Sequence, residues 1–131
     1  MKIFKILTIV LIVIFPLVAS AQKIETLSIL TDSTASDTLN VAKGYYLSAL
    51  IMPAGLATAL TVKVSDVGTT MYPLQISDAD SGAYTIETDY SAAQAMLLDK
   101  DSFYPWKYFQ FTSNKTATAD KTLKFILRKR K

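Results

Sequence analysis

Residues 60–65, Leu60-Thr61-Val62-Lys63-Val64-Ser65, switch between apolar and polar at every step. Residues 122–129 do the same, with Leu123, Phe125 and Leu127 set against Lys124 and Arg128. A period of two sends one set of side chains to one face, the pattern of a strand with one buried and one wet side. Comparable segments recur along the chain. Residues 23–31 carry Ile24, Leu27 and Ile29; Leu39 and Val41 mark a short strand before Gly44; residues 45–52 are aromatic and apolar and stop at Pro53-Ala54-Gly55. Residues 71–76, residues 83–88 with Tyr84 and Ile86 on one face, and residues 107–112 with Phe109 and Phe111 on one face extend the series. Polar turn clusters over residues 32–37, 66–70 and 78–82 separate them. The spacing predicts an all-β, antiparallel β-sandwich, jelly-roll-like, of about eight short strands. Residues 91–98 are ambiguous, since Ala92, Ala93, Gln94, Ala95, Met96 and Leu97 favour helix while the neighbouring pattern favours strand; a short strand is expected there.

Ahead of this region, Lys2 and Lys5 precede an almost unbroken apolar run over residues 6–18, followed by Ala19-Ser20-Ala21 and Gln22. A basic start, an apolar centre and a small-x-small end form the order of a secretory signal peptide. Residues 1–21 therefore read as a signal peptide, with export to the periplasm, cell surface or medium. The alternative is a retained membrane anchor, because residues 4–21 approach the roughly 18–20 needed to cross a bilayer. Pro16 fits a break better than a continuous spanning helix. Residues 22–131 then form a single β-sandwich domain with a basic C-terminal tail, residues 128–131.

Cysteine and histidine are both absent. That removes disulfides, Cys nucleophiles, His-based triads and most zinc or copper sites. The formal charge of +3 is unevenly placed. Arg128-Lys129-Arg130-Lys131 holds four of the basic residues, and residues 22–127 carry eight basic against eleven acidic side chains. A nucleic-acid binder spreads positive charge over a face, so nucleic acid is not an expected partner.

From Leu50 onward the order of motifs resembles a family of small β-sandwich proteins of tailed bacteriophages and prophages. The resembling pieces are Leu50-Ile51-Met52-Pro53-Ala54-Gly55-Leu56, Leu60-Thr61-Val62-Lys63-Val64-Ser65-Asp66 and Thr69-Thr70-Met71-Tyr72-Pro73-Leu74. Tyr108-Phe109-Gln110-Phe111-Thr112-Ser113 and Thr122-Leu123-Lys124-Phe125-Ile126-Leu127-Arg128 complete them. Asp66-Val67-Gly68 stands where the family has a tighter Asp-Gly turn. The resemblance implies a non-enzymatic virion part, such as a head decoration, fibre or tail-associated module. It implies partners within a larger protein assembly, including copies of itself, and brings no catalytic residues.

Phe103, Tyr104, Trp106, Tyr108, Phe109 and Phe111 form the densest aromatic cluster. Tyr104, Trp106 and Tyr108 are the candidate binding residues. Exposed, they would stack on sugar rings or anchor a protein partner; turned inward, they would close one end of the sandwich. Asp78, Asp80 and Gly82 suggest part of a calcium loop, but the glycine falls one position early and no bidentate glutamate follows, so they read as a solvated turn. Asp99 and Asp101 read as a polar loop, and the basic terminus as a solvated tail or as charge that discourages edge pairing. No catalytic residue, metal or cofactor is expected. A phage or prophage structural protein is the leading expectation. The alternatives are a secreted carbohydrate- or surface-binding module and a membrane-anchored β-domain, touching membrane only through residues 1–21.

Overall fold

A computed structural model describes residues 22–75 and 82–131. The signal or anchor reading of residues 1–21 and the turn at Asp78 and Asp80 lie outside them. Nearly all of the described chain's regular secondary structure is strand. In order it forms β1 (Gln22–Ile29), β2 (Leu39–Asn40), β3 (Tyr45–Met52), β4 (Ala59–Ser65), β5 (Tyr72–Pro73), β6 (Thr85–Glu87) and β7 (Gln94–Leu97). A single helical turn, α1 (Lys100–Phe103), then leads to β8 (Tyr108–Ser113) and β9 (Lys121–Lys129). The ambiguous stretch is a strand, β7, because it pairs along β3 from Met52↔Gln94 to Ala49↔Leu97. Tertiary pairing overrides its helix propensity.

One sheet has the order β1-β9-β3-β7 and the other β2-β8-β4-β5, with β6 also on β4. All pairs are antiparallel. β5 pairs with Lys63 and Val64, and β6 pairs farther back along the same strand, with Ala59 to Thr61. They are therefore two halves of one edge strand. The excursion between them is closed by the Gln75↔Ala83 bridge and a Tyr84 N–H bond to the Leu74 carbonyl at 2.7 Å. Counted that way, the first strand pairs with the eighth, the second with the seventh, the third with the sixth and the fourth with the fifth. That is the wrapping of a jelly roll. Pro73, which has no N–H to donate, sits on this edge, where the loss is tolerated.

Alternation fills the space between the sheets. Leu27, Ile29, Leu123, Phe125 and Leu127 are buried from one side, and Leu60, Val62, Val64, Phe109 and Phe111 from the other. β3 breaks the alternation because a register shift at Leu47/Ala49 inserts one extra residue. The bulge turns Leu47, Leu50 and Met52 all inward, while Tyr46, Ala49 and Ile51 stay outside. An aromatic chain runs through the core. Tyr84 meets Phe103 edge-on, Phe103 stacks on Phe109 at 5.6 Å, Phe109 on Phe111, and Phe111 reaches Phe125 of the opposite sheet at 4.8 Å.

Candidate functional site

The start of β1 and the end of β9 lie side by side, with Gln22 opposite Arg128 and Arg128 opposite Tyr46. The same end of the sandwich carries α1. Asp99 caps this turn by accepting from the Asp101 N–H at 3.3 Å and from the Ser102 hydroxyl at 2.6 Å. The Ser102 hydroxyl bond holds the Asp99 carboxyl below the usual carboxylate range. Phe103 plugs the core, so Lys100 and Tyr104 are held outside it.

Arg130 ties these pieces together. Its backbone N–H bonds the Gly44 carbonyl, its Nε donates to the Tyr45 carbonyl at 3.0 Å, and its Nη2 donates to the Tyr104 carbonyl. Its guanidinium also lies 4.2 Å from the Tyr104 ring centre. The basic residues read as a tail are thus partly built into the fold: Arg128 and Lys129 belong to β9, and Arg130 is half-buried. Arg128, Lys129 and Lys131 are exposed, as a solvated terminus would be, while Arg130 alone of the four is held against the fold.

The result is a groove of about 470 Å³ lined by Gln22, Tyr46, Lys100, Tyr104, Arg128, Lys129 and Lys131. No Asp or Glu is among its lining residues. Tyr46 and Tyr104 pack at 5.2 Å, and the Lys100 ammonium lies 5.5 and 5.3 Å from their ring centres. A second groove, of about 510 Å³, has Arg130, Tyr45, Asp66 and Trp106 among its lining residues.

The three candidate aromatics are therefore not one platform. Tyr104 stands in the cationic groove, its ring in contact with Arg130, Lys100 and Tyr46. Trp106 is half-buried against the core and lines the second groove. Tyr108 lies against the backbone of Gly68, where an added Cβ would come within 2.8 Å of its ring. Residues two apart share a face only in a continuous strand; the helical turn and Pro105 break that parity. In the sequence Tyr46, like Tyr45 and Tyr72, carries only a weaker form of the same aromatic signal, and nothing there marks Lys100. The signal for Tyr46 was the antiparallel closure of the last strand on β3, a register that one sequence does not display.

A different feature covers the outer face of the β1-β9-β3-β7 sheet. Ile24, Ile126, Ala49 and Leu97 stand in register across all four strands. Ile24 is 67% and Leu97 85% exposed. The adjoining row holds Thr26, Lys124, Ile51 and Ala95, and the row on the other side holds Gln22, Arg128 and Tyr46. The apolar stripe is thus flanked by cations, and these rows contain no acidic residue. Among the described residues no helix is long and apolar enough to cross a membrane, and no group of three His, Cys, Asp or Glu is placed to hold a metal ion.

These elements define an all-β jelly-roll sandwich with a basic, aromatic end and an apolar stripe on one outer face. No protein-family model matches the chain, and a search of curated proteins finds no significant match.

Proposed function

We propose that this protein is a non-enzymatic interaction module, a structural component that docks onto a larger particle or surface assembly. The observation that carries the reading is the exposed Ile24–Ile126–Ala49–Leu97 stripe, which crosses the whole sheet. Apolar side chains aligned on a solvent face mark protein contact surfaces. Lys124 and Arg128 on its flanks fit an apolar surface rimmed by acidic side chains. Two copies set face to face would oppose like charges, so the partner is another component of the assembly. The jelly roll is also a fold of viral capsid domains, an analogy of architecture consistent with a virion part.

The test uses particles purified by density gradient from the source culture, with this chain followed by mass spectrometry. Wild type should band with particles, and the Ile24→Asp/Leu97→Asp variant should be lost from them while melting normally. A strictly monomeric chain absent from every particle fraction overturns the proposal. So does undiminished incorporation of the double variant, or a defined homo-oligomer built through this face.

A further inference from the structure

We propose that the cationic groove between β9, β3 and α1 binds an acidic oligosaccharide, a short sugar chain carrying carboxylates or sulfates. The inference rests on the groove, which shares Gln22, Tyr46 and Arg128 with the row beside the apolar stripe, and its test does not depend on particle docking. Lys100, Arg128, Lys129 and Lys131 converge on one concavity whose lining residues include no Asp or Glu. Among the described residues the ion pair present is Lys23 with Glu25, so these four cations have no acidic partner there. Crowded like charges are relieved by a bound anion, and a concave site focuses that attraction.

The neutral part of the wall narrows the ligand class. Tyr46 and Tyr104 pack on each other, and cations already lie against their rings. The aromatic rings thus serve to place charges, and Arg130, Lys100 and Tyr46 around the Tyr104 ring compete with the base stacking that single-stranded nucleic acid uses. Beyond the basic terminus the chain carries more acidic than basic residues, which disfavours a long polyanion. An acidic peptide would bring backbone N–H donors into a wall that is itself mostly donors. A charged sugar instead offers carboxylate oxygens to the cations. Its hydroxyls can accept from the ammonium groups and exchange hydrogen bonds with the Tyr46 and Tyr104 phenols. A groove of about 470 Å³ falls within the size range of small-ligand sites, roughly 300–1,000 Å³. It suits a few sugar units.

The experiment is calorimetric titration of the full chain with hexagalacturonate, and with maltohexaose as the neutral counterpart, at low salt. Hexagalacturonate should bind and weaken as salt is raised, and maltohexaose should not bind. The Lys100→Gln/Arg128→Gln variant should lose about tenfold in affinity, about 1.4 kcal/mol, with its far-UV circular dichroism unchanged. If that variant does not fold, Lys131→Gln at the exposed chain end should still show a several-fold loss. Absence of binding at millimolar hexagalacturonate overturns the proposal, as does equal binding of maltohexaose or undiminished affinity in folded variants. Equal or tighter binding of hexaglutamate or of a six-nucleotide DNA strand also overturns it and reassigns the groove.

Discussion

Removing the Arg130 side chain should loosen the whole basic end of the molecule. Its guanidinium bonds two carbonyls from distant segments, Tyr45 at the start of β3 and Tyr104 after α1, and packs on the Tyr104 ring. Hydrogen bonds from a charged donor contribute about 1.5–3 kcal/mol when buried. Arg130 is half-buried, so roughly 1 kcal/mol for each bond is the fitting figure. The cation–ring contact adds about 0.5 kcal/mol at such a site. Arg130→Ala is therefore expected to lower unfolding free energy by roughly 2–3 kcal/mol. Arg130→Lys should recover less than half, because one ammonium lacks the fork that reaches both carbonyls. Urea unfolding followed through Trp106, the single tryptophan, reads both stability and the wall of the second groove. An Arg130→Ala midpoint within error of wild type would show that the clamp contributes nothing and that the strand pairs alone hold this end.

Two glycines give a matched comparison. Gly68 (φ +81°) lies against the Tyr108 ring, whereas Gly44 (φ +84°) faces open space. Gly44→Ala should cost about 1 kcal/mol for the left-handed backbone alone, and Gly68→Ala about 1–3 kcal/mol more for the overlap; equal losses in urea melts would refute the packing of Tyr108. Acid should weaken the fold through three loop carboxylates. The Ser91 hydroxyl and N–H lower Asp89, the Ser102 hydroxyl chiefly lowers Asp99, and the Thr31 N–H and hydroxyl lower Asp120. Because their folded values lie below the unfolded ones, the stabilisation is complete above the ordinary carboxylate range, near pH 4, and is lost as pH falls through the folded values. Urea midpoints should hold level from about pH 7 to pH 5 and fall below about pH 4, with a shallower fall in Asp120→Asn. A decline already between pH 7 and 5 would contradict this assignment, since the chain has no histidine to titrate there.

Most strands were legible one at a time. Alternation in residues 60–65, 107–112 and 122–129 named the inward residues Val62, Phe109, Phe111 and Phe125, because a half-buried strand writes its burial into a period of two. The fully mixed run at 45–52 resisted that reading, since the bulge after Leu47 changes parity and leaves no trace in composition. Tyr104, Trp106 and Tyr108 looked like one aromatic surface for a related reason: their spacing of two suggests a shared face, whereas Tyr104 and Pro105 form a turn after α1 and only Tyr108 lies in a strand.

Composition and periodicity alone determined that residues 22–131 would be strand-rich and turn-punctuated, and that Cys and His chemistry was closed to them. Those are properties of side chains and their local order. Only tertiary pairing decided which strand lies beside which. Antiparallel register across β1, β9, β3 and β7 aligned Ile24 with Leu97 on the outer face. The same closure brought Arg128 beside Tyr46, with Lys100 and Tyr104 across the groove. A groove made of residues 22, 46, 100, 104, 128, 129 and 131 is set by long-range hydrogen-bond register, which depends on the closure of the whole sandwich and on no local preference.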